Sequence, residues 1–296
     1  ENNRYLVENY SITYLSSGRD LLRLPNHAQS RSESVIVANP DYDKPGNPAS
    51  SPVASKTRNT SLQIDSSAAL NFSPLPNTAQ EAEAIARLLP GVKVLTGSQA
   101  TENAIKQLQS PKILHLATHG FFLQDLPLVA PPNYGFASIL QDTSRANPAV
   151  RSAGNENPLL RSGIALAGAQ PRKSGNEDGI LTALEAAGLN LSGTKLVALS
   201  ACDTGLGDTT NGQGVYGLRR ALAIAGAESQ LISLWAVDTY KTQTLMVNYY
   251  KRLMSNVGRS ESLRQTQLEM LQKSESQHPY YWAAFIPSGD WTGMGL

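Results

Sequence analysis

Lys112-Ile113-Leu114-His115-Leu116-Ala117-Thr118-His119-Gly120 is the stretch that decides the fold. Its apolar run is short and continuous rather than alternating, and it closes on polar residues and a glycine. Such a run reads as a strand buried on both faces, the kind that parallel sheets contain. Residues 34–39 have the same character and stop at Pro40-Asp41. So do Leu196-Val197-Ala198-Leu199-Ser200 and Gln230-Leu231-Ile232-Ser233-Leu234-Trp235, and Val92-Lys93-Val94-Leu95 adds a shorter strand. Helical patterns lie between them. Thr78 with Glu81 three residues on is a capping-box pattern ahead of Ala82, Ile85, Ala86, Leu88 and Leu89, closed by Pro90-Gly91. Thr101 caps a second helix to about residue 108, and further helices are expected near 183–187, 216–226, 241–254 and 260–274. Strand alternating with helix predicts an α/β fold, a mostly parallel sheet flanked by helices on both faces.

The remaining stretches are less regular. Residues 5–15 alternate roughly in period two and read as one or two strands. Ile164-Ala165-Leu166-Ala167 reads as a short strand, and Tyr280 to Ile286 as another. Residues 43–73 and 123–178 are rich in Pro, Ser, Asn and Gly and read as long loops. The second carries Arg145, Arg151, Arg161, Arg172 and Lys173, exposed basic sites in a cleavable composition.

Composition bounds the function. The 296 residues suffice for one large α/β domain, and 1–296 is read as a single unit. Net charge is +1, from 25 basic and 24 acidic side chains. That excludes a strongly basic nucleic-acid binder and an acidic disordered tail. No apolar run approaches the roughly 18–20 residues of a membrane span. One cysteine excludes an internal disulfide and a multi-cysteine metal site, and it fits a reducing, cytoplasmic setting. The chain opens on Glu1-Asn2-Asn3-Arg4-Tyr5 without an initiator Met or a signal pattern, and reads as a piece of a longer protein.

In parallel α/β sheets, sites form past the C-terminal ends of strands. Two residues with chemistry stand there. His119 follows residues 113–117 and precedes Gly120; Cys202 follows residues 196–199 and precedes a glycine-rich loop. A single Cys with a distant His is the pattern of a cysteine nucleophile and its base. The chemistry also needs backbone N–H groups aimed at a developing oxyanion, and Gly120 and Cys202 are placed to supply them. The plain alternative for Cys202 is a small packed core residue. His115, between Leu114 and Leu116, reads as a core histidine, His278 as a helix-end or turn residue, and His27 as a loop residue. Four scattered histidines offer no ligand spacing, so no metal and no cofactor is expected. Glycines 205, 207, 212 and 214 do not match a phosphate loop, and no Gly-x-Ser-x-Gly elbow is present.

At these residues the chain resembles a known family. Ile113 to Phe122 is similar to the histidine motif of CHAT domains, and Leu199-Ser200-Ala201-Cys202-Asp203-Thr204-Gly205 to their cysteine motif. Residues 75–85, 178–183, 212–215, 233–238 and 278–285 also match, in order, along nearly the whole chain. CHAT domains are caspase-like cysteine peptidases related to separases, often found after tetratricopeptide repeats. The resemblance implies a caspase-hemoglobinase fold and peptide-bond hydrolysis, with His119 and Cys202 as the dyad and Gly120 in the oxyanion hole. It implies a protein or peptide substrate, an upstream repeat or sensor region in the same protein, and a role in bacterial defence or programmed death. Asp238 stands where separases carry an acid that helps to bind a basic P1 residue, offset by one position, and Trp235 stands beside it. Two readings remain for each. Asp238 faces a basic P1 side chain or caps the helix that begins near Thr239, and Trp235 is a pocket wall or core. After Val237 the family commonly shows two acids and then Ala-Thr; here Asp238-Thr239-Tyr240-Lys241-Thr242 departs from that. A catalytically silent caspase-like interaction module is the alternative to a peptidase.

Overall fold

The structure, a computed structural model, describes residues 4–22, 24, 28–46, 71–122, 158–200, 213–235 and 238–295. Six strands form the main sheet: β1 (Val35–Pro40), β2 (Lys93–Gly97), β3 (Ile113–Ala117), β7 (Leu196–Leu199), β8 (Ser229–Ser233) and β9 (Phe285–Gly289), in the order β2-β1-β3-β7-β8-β9. All neighbours are parallel except β8 and β9. Every residue of β3, β7 and β8 is buried, which is why their sequences run apolar without alternation. Val35, Val37, Leu114, Leu116, Val197 and Leu199 face one core with α3 (Glu102–Lys106), α4 (Ala183–Ala186) and α5 (Gln213–Ile224). Ile36, Ala38, Ile113, Ala117, Leu196 and Ala198 face the other, against α2 (Pro76–Ala86), α6 (Thr239–Met254) and α7 (Arg259–Leu271). The expected mostly parallel sheet with helices on both faces is present.

Several local expectations differ. Residues 6–9 form a short helix, α1 (Leu6–Asn9), and strand character in the 5–15 stretch reduces to a bridge between Tyr14 and Ser288. The segment lies against α7, where the Arg264 guanidinium donates to the Val7 and Glu8 carbonyls. Those backbone acceptors are satisfied by a side chain, and period-two alternation alone does not foretell that. The 280–286 stretch splits into α8 (Pro279–Trp282), capped by the His278 side chain, and then β9. The pattern at Thr78 and Glu81 is not a cap. Pro76 begins α2 with Leu75 as N-cap, and the Thr78 hydroxyl donates to the Leu75 carbonyl. Glu81 instead reaches His115, which is fully buried: Nε2 lies 3.0 Å from the Glu81 carboxylate and Nδ1 3.1 Å from the Tyr250 hydroxyl. His115 is thus a satisfied core histidine. Most of the 43–73 and 123–178 loops, with Arg145 and Arg151, lies outside the described residues.

A second sheet grows directly from the end of β3. β4 (Gly120–Phe122), β5 (Ser162–Ala165) and β6 (Ile180–Thr182) pair antiparallel in that order. Gly163 has no room for a side chain: a Cβ there would lie 2.7 Å from the Leu181 carbonyl oxygen and 2.9 Å from the Phe121 ring. The sheet is tied to α3 by a half-buried ionic cluster with Glu102 at its buried end. Lys106 Nζ lies 2.6, 3.0 and 2.9 Å from carboxylate oxygens of Glu102, Glu177 and Glu185. The second Glu102 oxygen accepts from the Gly179 N–H, at the entry to β6, and Glu185 closes a capping box with Thr182 on α4. Burial pushes the Glu102 carboxyl up to about 8, against the pull of Lys106. Burial pulls the Lys106 ammonium down, but the three carboxylates outweigh it and hold its pKa above the ordinary lysine value.

An acid whose folded pKa lies above its unfolded value contributes most stability at low pH and loses it as pH rises from about 4.5 towards 8. Removing the ammonium raises the Glu102 carboxyl further and so carries that loss to higher pH. Lys106→Met should therefore cost about 1 kcal/mol more at pH 9, where the parent's Glu102 ionises beside the ammonium, than at pH 6. Thermal or denaturant melts at the two pH values check this, and an equal cost at both would contradict it.

Candidate active site

The site is built at the C-terminal end of β3. Register pairs Leu116 with Leu199, and the Ser200 N–H donates to the Leu116 carbonyl at 3.0 Å. The chain leading to His119 and the chain leading to Cys202 therefore leave the sheet side by side. Cys202 itself, with Asp203 and the glycines up to 212, lies outside the described residues.

His119 is buried, at 2% exposure. Its Nε2 lies 2.7 Å from the Ser73 carbonyl oxygen. A carbonyl only accepts, so Nε2 carries the proton, and in the neutral ring Nδ1 is the basic nitrogen. The Tyr42 and Phe72 rings pack against the imidazole at centroid distances of 5.3 and 5.8 Å and against each other at 5.8 Å, so the three rings form a triangle. Its main chain is equally fixed. The Ala165 N–H donates to the His119 carbonyl at 2.9 Å, and the Thr118 hydroxyl to the Ala165 carbonyl at 2.5 Å.

Gly120 follows as the first residue of β4, opposite Ile164, and is buried. Antiparallel ladders alternate hydrogen-bonded and non-bonded pairs. Because His119 bonds Ala165, the Gly120 pair is a non-bonded one, and its N–H turns away from β5.

Trp235 and Asp238 stand past the end of β8, next to β7 in the sheet. Trp235 is half-buried, packs on the α2/α6 core, and donates from Nε1 to the Tyr280 carbonyl at 3.2 Å. Asp238 is half-buried and is the N-cap of α6, its carboxylate accepting from the Lys241 N–H at 2.8 Å. The capping reading is therefore present in the structure. One Asp238 oxygen accepts that bond, which leaves a carboxylate with further acceptor capacity.

Tyr42, Phe72 and Ser73 were not among the residues singled out from sequence. The last two border the 43–73 stretch, whose composition reads as loop. Their contact with His119 spans 46 residues or more and leaves no local pattern. Elsewhere, the Glu102, Glu177 and Glu185 oxygens approach closely enough for a metal ion, but the Lys106 ammonium sits among them. No described helix is long and apolar enough to cross a membrane.

The family model for CHAT domains matches residues 1–290. The chain belongs to the CHAT domain family. Among curated relatives it is similar to human tetratricopeptide repeat protein 28, at 25% identity over 97% of this chain and 11% of that protein. It is also similar to the mouse protein of the same name, at 30% identity over 74% of this chain and 9% of that one. The CHAT chain thus spans about a tenth of the relatives that it matches. Both are mammalian and lend no support to a bacterial setting. Among solved structures it is similar to the Arg-specific cysteine proteinase gingipain R, with TM-score 0.48 and 10% identity over 94% of this chain and 53% of that one. A complex of Porphyromonas gingivalis RgpB pro- and mature domains gives TM-score 0.46 and 10% identity over 93% and 52%.

The cap and charge roles of Asp238 separate by substitution. Asp238→Ala should lower stability by about 1 kcal/mol through loss of the cap, while Asp238→Asn, also a good N-cap, should leave it nearly unchanged. Chemical denaturation of the three proteins checks this; equal stability of the Ala variant and the parent would contradict it.

Proposed function

We propose that this CHAT chain, taken as one unit over residues 1–296, is a cysteine endopeptidase acting on a protein partner by limited proteolysis. The observation that carries the reading is the fixed tautomer of His119, whose Nε2–H is bound to the Ser73 carbonyl, so that Nδ1 is the ring nitrogen able to take a proton. The β3–β7 register supports it by bringing the cysteine-bearing chain to the same sheet end.

In this mechanism Nδ1 of His119 takes the Cys202 thiol proton, and the thiolate attacks the scissile carbonyl carbon. The C=O π electrons move to oxygen, and the oxyanion is bound by the N–H groups of Gly120 and Cys202. Collapse breaks the C–N bond, and the amine leaves with the proton from His119. Water, deprotonated by the same imidazole, then cleaves the thioester and regenerates the thiol.

For specificity we propose a basic P1 residue drawn by the Asp238 carboxylate, with Trp235 as a wall of the pocket. A half-buried carboxylate favours a guanidinium or ammonium partner. A cytoplasmic place, attachment to an upstream repeat region and a part in defence or programmed death belong to the same proposal. The tetratricopeptide repeats in the relatives' name support the repeat region.

An unbiased peptide library digested by the parent, by Cys202→Ala and by Asp238→Asn tests both levels, with mass spectrometry as the readout. Cleavage that vanishes in Cys202→Ala and follows Lys or Arg is expected, with at least about a tenfold loss of that preference in Asp238→Asn. Cleavage after apolar residues would overturn the P1 assignment. No cleavage by the parent, even within its repeat-bearing full-length protein, would leave the silent interaction module as the function.

A further inference from the structure

Tyr42 stands two residues beyond β1 and is 2% exposed. Its place is fixed by its own backbone: the Gln170 N–H donates to the Tyr42 carbonyl at 2.9 Å, and the preceding Asp41 carbonyl accepts from the Gly168 N–H at 3.0 Å. From there the side chain reaches the end of β3 in two ways. Its ring packs against the His119 imidazole at 5.3 Å and against Phe72 at 5.8 Å. Its hydroxyl lies 2.8 Å from the Thr118 hydroxyl and 3.4 Å from the His119 backbone nitrogen.

The proton directions follow. The Thr118 hydroxyl donates to the Ala165 carbonyl, so it accepts from the Tyr42 hydroxyl, whose own lone pair takes the His119 N–H. One buried phenol thereby joins the backbone before the histidine to β5 and covers a buried N–H. The same residue's ring packs on the imidazole. Phe72 packs on both of those rings, from the same side of the imidazole, and it immediately precedes the residue that supplies the Ser73 carbonyl. Tyr42 makes none of the contacts that the proposed chemistry requires of substrate.

We propose that Tyr42, with Phe72 beside it, is the positioning residue that sets the rotamer and tautomer of His119. The step rests on the peptidase reading for its effect on rate, but not for its effect on the ring. The hydroxyl and the ring do separate jobs. Tyr42→Phe removes the link to Thr118 and the His119 N–H while keeping the stacking, whereas Tyr42→Leu removes both. Thr118→Val breaks the hydroxyl link from the other side.

The test reads the His119 ring directly, by nitrogen-15 NMR of histidine-labelled protein, with the signals assigned by their loss in His119→Ala. Kinetics on the peptides from the library run alongside. In the parent the neutral ring should be almost wholly protonated on Nε2. Tyr42→Leu should mix the two tautomers and lower kcat by about 100-fold or more, the scale of a catalytic group displaced by about 1 Å. Tyr42→Phe and Thr118→Val should lower kcat by about tenfold, with KM unchanged in every case because substrate contacts are intact. Tyr42→Phe is close enough in shape to fold, and its melt verifies that. Unchanged ring signals in all three variants would overturn the proposal, as would a fall in kcat without any change in the ring. If the parent cleaves nothing, alone or within the longer protein, the peptidase reading fails, and the NMR comparison still decides the role of Tyr42.

Discussion

The Ser73 carbonyl that holds Nε2 of His119 is the contact on which the account of this molecule depends. It fixes which ring nitrogen is basic, and it does so with a main-chain group that a substitution at Ser73 leaves in place. The carbonyl is itself placed by the fold. Ser73 leads into α2, and α2 is seated on the sheet by Ala82 and Ile85 and by the buried bond from Glu81 to His115. His115 and His119 thus divide the work of one strand and its end. The first locks the helix to the sheet, and the second uses what that helix brings. Tyr42, arriving from β1, completes the grip from the neighbouring strand.

The small antiparallel sheet supplies the other half of the constraint. Its first strand begins at Gly120, so the donor expected to face an oxyanion and the backbone of His119 belong to one ladder. The Lys106 cluster anchors the far edge of that ladder through Glu102 and the Gly179 N–H. Substitutions far from the chemistry can therefore reach the site through backbone geometry.

The parallel sheet was legible in the sequence because strands buried on both faces must run apolar, as 113–117 and 196–199 do. The place of His119 just past the end of β3 was legible because the apolar run of that strand stops before it, while Cys202 lies outside the described residues. The helix caps at Thr101 and Asp238 were legible as local chemistry. What escaped is long-range. Glu81 follows Thr78 at capping distance, yet its partner is a histidine 34 residues away. Residues 5–15 alternate like a strand, yet the first of them turn into a short helix whose Val7 and Glu8 carbonyls are taken by Arg264 on a distant helix. The cage around His119 draws on residues 42, 72 and 73, where composition reads as turn and loop. Such pairings are made by tertiary packing, and no sequence window contains them.

The central claim is that His119 acts on Cys202. Because the chain holds a single cysteine, alkylation by iodoacetamide followed by intact-mass spectrometry reads that residue alone. The account predicts that at pH 6.5 the parent reacts at least about tenfold faster than a free thiol, as a thiolate paired with an imidazole does. It also predicts that His119→Ala brings the rate down to that of the free thiol. A parent rate equal to that of a free thiol, unchanged by His119→Ala, would contradict it.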